Sequence, residues 1–273
     1  LKLGSTFSIS NELEVDVAQL LIKHIPGAES ARFGKNGADA TSIAVRLSRA
    51  ITKRDHIAFC GYHGWHDWFV GTTDLNAGIP KFNNELAHSF SYNDIHSLEK
   101  IFKKFKNKIK IIVHAAAQPS HDWAKKEPDT DFSINANGTL NLLMLFKKYC
   151  PKSKFIYLST NKVYGDNPNK ISFKEKMYRY EVKKSNPYYK GFDESLNTDN
   201  CVHSLFGVSK LSADMMVQEY GKNFGLKTVC FRAGCISGPN HLGAELHGFL
   251  SFLVKSVIKN KSYKIFGYKG KQV

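Results

Sequence analysis

The chain of 273 residues is 42% hydrophobic, which is ordinary for a globular protein that fills one large or two modest domains. Its net charge of +15 comes from residues 91–273, where 30 Lys or Arg outnumber 15 Asp or Glu and only two of the 30 are arginine. Because nucleic-acid surfaces use arginine for bidentate phosphate contacts, this scattered lysine argues against a nucleic-acid partner and suits an anionic substrate.

The chain also lacks the sequence marks of secretion, membrane insertion and metal binding. No charged start precedes an apolar run with a cleavage site, and no apolar stretch approaches the roughly 20 residues that span a bilayer. We therefore expect a soluble, cytoplasmic protein or a fragment of one. Five cysteines without paired spacing predict neither a disulfide framework nor a metal site, only buried inert thiols: Cys60, Cys150, Cys201, Cys230 and Cys235.

Two helices are predicted before residue 55. The first is capped by Ser10 and stopped by Pro26, and its apolar face comprises Leu13, Val17, Leu20 and Leu21. A turn at Gly37 and Ala38 then enters a second helix, whose apolar spacing comprises Ile43, Ala44, Leu47 and Ser48. Free backbone N–H groups at such a helix start can hold a phosphate, although the pattern alone is unspecific.

A strand at 56–60 precedes the segment Gly-Tyr-His-Gly-Trp-His-Asp-Trp at 61–68. With the turn at Gly37, this segment resembles the class III PLP-dependent aminotransferases, and most the glutamate-1-semialdehyde aminomutase branch, over residues 3–90. The resemblance implies that Gly37 and Ala38 hold the PLP phosphate and that Tyr62 stacks on the pyridine ring beside His63. The segments for the Schiff-base lysine and the pyridine-binding aspartate find no match after residue 90, so this PLP site is expected to be vestigial and PLP is not an expected cofactor.

An alternative interpretation needs no cofactor in this segment. The aromatic side chains are then core residues and the histidines are packing or surface groups: Tyr62, Trp65, Trp68, His63 and His66.

An amphipathic helix is predicted next, capped by Asn93 or Asp94. Its apolar face comprises Ile95, Leu98, Ile101, Phe102 and Phe105. No Gly-, Pro- or Ser-rich linker precedes it, whereas independent domains normally have one. We therefore predict that two segments meet within residues 91–108: a truncated aminotransferase-like segment at 1–92 and a second domain at 93–273.

Strands and helices alternate along the second domain, as in an open parallel α/β sheet. A strand is predicted over residues 109–118, where it runs out into small residues, and further strands at 155–158 and 227–232, with helices after residues 131 and 204. Met215 and Met216 on the later helix are expected to fill the core. Residues 173–192 are predicted to form a loop, either over a site or on the plain surface.

Polar side chains follow the ends of these strands. The strand at 155–158 ends in Ser159 and Thr160, and the later helix carries Lys210 in its second turn. Since ligands bind outside the carboxyl ends of strands in such sheets, we expect these three side chains to meet at one edge.

Three motifs make this domain specific: Ala-Ala-Gln-Pro-Ser-His-Asp-Trp at 116–123, Ser-Thr-Asn-Lys-Val-Tyr-Gly-Asp at 159–166 and Gly-Pro-Asn-His at 238–241. With the segments at 245–250 and 266–273, they resemble the extended short-chain dehydrogenase/reductase family, and within it the CDP-paratose/CDP-tyvelose epimerase-like branch, over residues 93–273. The resemblance implies NAD as cofactor and a nucleotide-sugar substrate. It also implies hydride abstraction from the sugar, rotation or inversion of the keto intermediate, and hydride return.

The family's functional positions map onto particular residues. Its Ser/Thr falls on Thr160, which would hold the sugar oxygen, and its lysine on Lys210, which would bind the nicotinamide ribose. The catalytic tyrosine position is Phe206, and phenylalanine has no proton to move. The resemblance assigns the remaining NAD contacts to Ala115, Ala116, Ala117, Gln118, Asn135, Ser159 and Ala233. It assigns further substrate contacts to Asn161, Lys162, Cys235 and Asn240.

The family's Gly-x-x-Gly-x-x-Gly turn should precede residue 93, and the turn at Gly34 and Gly37 does not reproduce it. Relatives also continue past the point matching Val273. We predict an incomplete Rossmann-like parallel sheet of the NAD-dependent epimerase/dehydratase type, preceded by an α/β fragment of a PLP-transferase fold. The expected function is an impaired nucleotide-sugar epimerase-like enzyme of surface polysaccharide metabolism. A non-catalytic chimera of two enzymes and a PLP-dependent aminotransferase or aminomutase stay open as alternatives, and so does a homodimer.

Overall fold

A computed structural model of the chain describes residues 11–177, 180–234 and 249–263. It forms two compact units, Leu1–Ile101 and Phe102–Val273. Each unit combines parallel strands with helices, which confirms the predicted α/β class. The domain boundary between residues 92 and 93 stays a prediction. Among the helices that the structure describes, none combines the length and hydrophobicity that crossing a bilayer requires.

The first unit is built on a short parallel pair of strands. Its elements are the helices α1 (Glu12–His24), α2 (Gly37–Thr52), α3 (Asp67–Val70) and α4 (Phe82–Leu86) and the strands β1 (Ile57–Phe59) and β2 (Ala87–Ser89). A small core consists of Phe59, Phe69 and Ala87, with Trp68 and Val70 packed against it. Neither α1 nor α2 buries a residue, and the predicted apolar face of α1 is exposed, with Leu13 at 59%.

Side-chain caps fix the starts of the first helices. The cap predicted at Ser10 is wrong by one residue, because the Asn11 side chain accepts a hydrogen bond from the Leu13 N–H at 2.9 Å. At α2, Asn36 and Asp39 form a reciprocal capping box that satisfies backbone N–H groups left over by the helix. The helix α5 (Ile95–Phe105) follows Asp94, whose carboxylate accepts from the N–H groups of His96 and Ser97. One of its two predicted caps is thereby confirmed.

The second unit contains a three-stranded parallel sheet and a short antiparallel pair. Its strands are β3 (Ile111–His114), β4 (Lys154–Thr160), β5 (Phe173–Glu175), β6 (Tyr180–Val182) and β7 (Lys227–Ala233). The sheet order is β3-β4-β7, while β5 and β6 pair with each other. The prediction of an irregular loop over residues 173–192 is wrong at this hairpin, because the two short strands satisfy their backbone groups by pairing.

Two long helical segments accompany the sheet. The first begins with α6 (His121–Lys126) and α7 (Pro128–Phe132), continues as a π-helix at Ser133–Asn137 and ends as α8 (Gly138–Tyr149). The second is α9 (Leu205–Phe224), and α10 (Phe249–Ile258) follows β7. α9 buries Phe206, Gly207, Ser209, Lys210, Ala213, Asp214 and Val217, all on one face. Met215 is 44% exposed, so the expectation that it fills the core is wrong: it lies on the opposite side of that helix.

The sheet has one covered face. Phe155 and Tyr157 alternate on β4 with 0% exposure, and the Phe146 ring of α8 lies 5.4 Å from that of Phe155. Their strand neighbours point the other way, as the two-residue period requires. On that side Leu158 is 44% exposed, and Val113, Val229 and Phe231 are exposed to a similar degree.

Candidate functional site

The carboxyl ends of β3, β4 and β7 form one edge of the sheet. The strands run parallel, and Ser159 and Thr160 at the end of β4 pair with Arg232 and Ala233 at the end of β7. β3 ends earlier, at His114, and the small residues 115–117 follow it. Their methyl groups leave the backbone open at this edge, which is where ligands bind in open α/β sheets.

A buried group of polar side chains, hereafter the Asp131 node, lies behind this edge and consists of Gln118, Asp131, Asn135 and Ser209. Asp131 is 1% exposed, and its carboxylate accepts from Gln118 Nε2 at 2.6 Å, Asn135 Nδ2 at 3.2 Å and Ser209 Oγ at 2.5 Å. Asn135 Oδ1 in turn accepts from the Gln118 N–H at 2.9 Å. The node therefore joins the loop after β3, the π-helix and α9.

Lys210 is placed next to the end of β4. Its side chain is 4% exposed; Nζ donates to the Leu158 carbonyl at 3.1 Å and lies 4.4 Å from the centre of the Tyr157 ring. Burial lowers its pKa to about 8, although Asp214 and Asp131 pull in the opposite direction. Phe206 lies one helical turn earlier on the same buried face. A buried amine with a pKa near neutrality is an unusual group, of the kind found at functional sites.

Ser159 belongs to a buried ion-pair cluster. Asp214, which is fully buried, accepts from Arg232 Nη2 at 2.9 Å, Arg232 Nε at 3.2 Å, Ser159 Oγ at 2.5 Å and Gln218 Nε2 at 2.6 Å. Arg232 Nη1 also donates to the Tyr164 hydroxyl at 3.1 Å. Burial raises the pKa of Asp214, but these hydrogen bonds and the Arg232 charge outweigh it and hold that pKa below its usual value. The cluster ties β4, β7 and α9 together at the edge.

Thr160, Asn161 and Lys162 form the turn that leaves β4. Thr160 Oγ1 accepts from the Lys162 N–H at 3.3 Å and donates to Asn161 Oδ1 at 3.3 Å. A 3₁₀ helix at Asn161–Tyr164 follows, and both Asn161 and Lys162 are exposed. The three polar side chains therefore stand at the solvent side of the edge, where they can meet a ligand.

His114 and Tyr157 lie beneath the edge. His114 Nε2 is 2.8 Å from Thr139 Oγ1, and that hydroxyl gives its proton to the Asn135 carbonyl at 2.6 Å, so Nε2 is the donor to Thr139. Burial, helped by the Lys210 charge, lowers the pKa of His114 to about 4, which keeps the imidazole neutral. The Tyr157 hydroxyl is buried and finds no hydrogen-bond partner among the described residues, and burial raises its pKa.

Phe206 and His121 are in ring contact. Their ring centroids lie 4.7 Å apart with an interplanar angle of 61°. Phe206 is 7% exposed, whereas His121 is exposed. His121 is the first residue of α6 and directly follows Ser120, whose side chain caps that helix. An imidazole therefore lies directly beside the ring at position 206.

In the first unit, the residues assigned to PLP lie near the start of α2. Gly37 and Ala38 open that helix, and the Thr41 hydroxyl donates to the His63 carbonyl at 2.9 Å. His63 Nε2 lies 2.9 Å from the Cys60 carbonyl, and Tyr62 is 79% exposed. The alternative of a core aromatic is therefore wrong for Tyr62, and also for Trp65, which is 70% exposed, while Trp68 packs against the core as predicted.

Some predicted contacts lie outside the described residues, namely Cys235, Asn240 and the segments at 238–241 and 266–273. Of the other predicted site residues in the second unit, Gln118 and Asn135 share the Asp131 node, and Ser159, Thr160, Lys210 and Ala233 gather at the ends of β4 and β7. Several polar groups of this region were not predicted, and four of them bear on the chemistry. They are His114, His121, Asp131 and Asp214.

One sequence signal could have revealed Asp214. Phe206, Lys210 and Asp214 recur every four residues, so they share one face of α9. Since Lys210 was placed at the edge, the same spacing brings Asp214 towards the sheet.

A parallel α/β sheet with a buried lysine and hydroxyl groups at its carboxyl edge places the second unit in the class of open α/β proteins. A model of the NAD dependent epimerase/dehydratase family matches residues 59–273, and the chain belongs to that family. The match begins inside the segment that resembles aminotransferases. A likeness in fold agrees with this: dTDP-glucose 4,6-dehydratase from Bacillus anthracis superposes with a TM-score of 0.50 at 20% identity, covering 83% of this chain and 60% of that one.

Curated relatives confirm both predicted resemblances. CDP-paratose 2-epimerase from Salmonella typhi is 37% identical over 166 residues, which are 59% of this chain and 47% of that protein. Glutamate-1-semialdehyde 2,1-aminomutase from Wigglesworthia glossinidia brevipalpis is 36% identical over 125 residues, 41% of this chain and 29% of that protein. The chain thus spans less than half the length of either relative.

Proposed function

We propose that the second unit binds NAD and a nucleoside diphosphate sugar at the carboxyl edge of β3, β4 and β7. The proposed activity is the hydride-transfer chemistry of an NAD-dependent sugar epimerase, in the cytoplasm and in the supply of sugars for surface polysaccharides. The observation that carries it is Lys210, whose buried amine donates to the Leu158 carbonyl, two residues before Thr160 at the end of β4. Similarity to CDP-paratose 2-epimerase supports a nucleotide-sugar substrate.

The residues at this edge fit the nicotinamide end of the cofactor. Residues 115–117 expose backbone beside small side chains, and the Lys210 amine can donate to ribose hydroxyl groups. When bound, NAD supplies an acceptor for a hydride from the sugar carbon. Thr160 would hold the sugar oxygen, Asn161 and Lys162 would contact the substrate from the exposed turn, and the Asp131 node would keep Gln118 and Asn135 in position.

We further propose that turnover is impaired. Phe206 offers no proton at the position where the resemblance places a tyrosine, and residues 1–92 contain no Gly-x-x-Gly-x-x-Gly turn to seat the pyrophosphate. Phe206 would therefore weaken proton transfer, and the lack of the glycine turn would weaken retention of the cofactor.

The test compares two lysines of α9. Lys210→Met removes the proposed ribose contact, whereas Lys222→Met changes an exposed lysine of the same helix. We expect the first variant to weaken NAD binding about 10- to 100-fold, the value of a hydrogen bond to a charged group, and the second to leave it unchanged. The measurement is a calorimetric titration of the purified chain with NAD. Equal NAD affinity in both variants, or full epimerase turnover that survives Lys210→Ala, would contradict the proposal.

A non-catalytic chimera of two enzymes is the second candidate. It is favoured by the similarity to two unrelated families, each covered over less than half of the relative's length. Long-read sequencing of the source DNA across codons 85–115 tests it, because reads that break within this interval would make each half part of a separate gene.

A PLP enzyme is the third candidate and rests on the aminotransferase similarity of the first segment. A PLP absorbance band in the purified chain that borohydride reduction discharges would support it, and its absence after incubation with PLP would count against it. Homodimer formation and the lack of nucleic-acid binding are also proposals. Light scattering and a DNA-binding titration at physiological salt test them.

A further inference from the structure

The proposed oxidation of a sugar alcohol needs a base. Its C–H bond breaks with transfer of a hydride to the nicotinamide, its O–H bond breaks with loss of a proton, and a carbonyl forms at the same carbon. The sugar is oxidised by two electrons and the nicotinamide is reduced by two. The proton must be taken up by a group at the edge, and the Phe206 side chain has none to exchange.

The imidazole of His121 lies where such a base is needed. The centre of its ring lies 4.7 Å from the centre of the Phe206 ring, and Phe206 lies one helical turn before Lys210 on α9. His121 is exposed, so an incoming ligand can reach it. Histidine is the side chain most often used for general acid–base catalysis, because its unperturbed pKa lies close to neutrality. Lys210 is a poorer choice, since its buried ammonium already donates to the Leu158 carbonyl.

His121 is also fixed relative to α9. The Gln118 side chain bonds Ser120 at both ends, donating to its carbonyl at 2.9 Å and accepting from its N–H, and the same amide donates to Asp131. Asp131 in turn accepts from Ser209, which lies between Phe206 and Lys210 on α9. The Asp131 carboxylate, through Gln118, therefore connects Ser120, the residue before His121, to the turn of α9 that contains Ser209. Catalysis requires that kind of positioning.

We propose that His121 is the acid/base residue of this site and exchanges the sugar hydroxyl proton that a tyrosine at position 206 would otherwise exchange. An imidazole nitrogen accepts the proton when the carbonyl forms and returns it when the hydride comes back. This assignment rests on the proposed function, because it needs a sugar alcohol and a nicotinamide at the same edge. The chain uses a histidine at the start of α6 in place of a group on α9.

The first test is spectroscopic and does not depend on turnover. The chain is labelled with ¹³C in its histidine rings, and the His121 signal is identified by its loss in His121→Gln. We expect this signal to shift when NAD and CDP-glucose are added together, while the signal of His24, an exposed histidine of the first unit, does not. If both ligands bind and the His121 signal stays in place, the assignment of His121 is wrong although the proposed function stands. If neither ligand binds, the proposed function fails and takes the assignment with it.

The second test separates a catalytic from a merely structural role. Reduction of NAD by CDP-glucose is followed in a single turnover for the wild type, His121→Gln, Phe206→Tyr and the double variant, with His24→Gln as the control. We expect His121→Gln to slow the reduction about 10²- to 10⁴-fold with unchanged NAD affinity, and the added tyrosine of the double variant to restore it. An unchanged rate in His121→Gln would overturn the proposal. So would a loss that Phe206→Tyr fails to rescue in a double variant that is folded and binds NAD.

Discussion

The ammonium of Lys210 is held in a place that disfavours its charge. Its folded-state pKa is about 8, below the 10.5 of an ordinary lysine, so the unfolded chain binds more protons between these values. Folding stability from this group therefore increases as pH rises from 8 to 10.5, and its burial costs about 3 kcal/mol at pH 7. We expect the free energy of unfolding of Lys210→Met, relative to the wild type, to fall by up to that amount across this window. Urea unfolding at a series of pH values measures it.

The comparison must be made as a difference between proteins. Burial raises the pKa of the Cys150 thiol to about 11 and that of Cys230 to about 12, and these groups destabilise the folded state at high pH in both proteins. Subtraction removes the contribution of Cys150. That of Cys230 does not cancel fully, because the Lys210 charge lowers the pKa of this thiol in the wild type only. Lys222→Met, at an exposed site, should show no such window, and a flat difference for Lys210→Met would contradict the burial argument.

The Asp214–Arg232 pair gives a second prediction. Asp214→Ala leaves the Arg232 guanidinium, whose side chain is 11% exposed, without its counter-charge. Breaking a buried pair in this way costs about 3–5 kcal/mol. Glu219→Gln breaks an exposed pair with Lys222 on the same helix and should cost less than about 1 kcal/mol. Urea unfolding at pH 7 compares them, and equal losses would refute the prediction.

The stabilisation by the Asp214–Arg232 pair depends on pH in a direction that the pKa of Asp214 determines. Because the folded-state pKa of Asp214 lies below that of an ordinary aspartate, its stabilisation is complete above the unfolded value of about 4. It is lost as pH falls through the folded-state pKa. The difference between wild type and Asp214→Ala should therefore shrink in acid and not in base.

At this scale the sequence was informative about Lys210 and Thr160, because each is placed by a single element: a helix turn or a strand end. It was uninformative about Asp131 and His121. A carboxylate or an imidazole on a short helix normally faces water. Only the packing of α7 and α6 against α9 brings Asp131 beside Ser209 and His121 beside Phe206.

The start of α9 determines where Phe206 and Lys210 lie. The Ser204 side chain caps this helix by accepting from the Gly207 N–H at 3.0 Å. Ser204→Ala should lower the free energy of unfolding by about 1 kcal/mol. Ser212 is the matched control, because its hydroxyl donates to the Val208 carbonyl within the same helix, and Ser212→Ala should be nearly neutral. Thermal unfolding of both variants decides, and a larger loss for Ser212→Ala would contradict the capping argument.

The regular elements followed from hydrophobic periodicity. The strands β3, β4 and β7 and the helices α5, α8 and α9 lie where alternation or helical spacing predicted them. The misses have local causes. Asn11 caps α1 in place of Ser10, and the sequence could not separate them because serine and asparagine are both good capping residues. The strands β5 and β6 are too short for their alternation to stand out among lysines and tyrosines.

The two compact units differ in how much they bury. α1 and α2 bury no residue, whereas α9 buries seven and β4 holds two fully buried aromatic rings. Because amide exchange follows the free energy of local opening, amides of α1 and α2 should exchange close to the rate of an unfolded chain, and those of β4 and α9 far more slowly. Hydrogen–deuterium exchange with mass spectrometry measures this. Equal protection in α1 and α9 would show that burial is a poor guide here.

For the molecule as a whole, motifs allowed both family resemblances to be predicted: the segment at 61–68 for the aminotransferases, and those at 116–123 and 159–166 for the epimerases. Composition and periodicity could not indicate that one face of the sheet carries exposed Val113, Leu158, Val229 and Phe231. Alternation on a strand reveals two faces but not whether each is covered.

The π-helix at Ser133–Asn137 changes which residues of the following helix face the sheet. A single π turn inside an α-helix is the structural trace of one extra residue, and removing it rotates the following helix by about 100°. Asn135 lies in that turn and bonds Gln118 and Ser209 from it, while α8 beyond it keeps Phe146 against the sheet. The extra residue of the π turn therefore lets one helical segment present Asn135 to the node and Phe146 to the core. Deletion of one residue in this interval should give an uninterrupted helix that can satisfy only one of these two contacts.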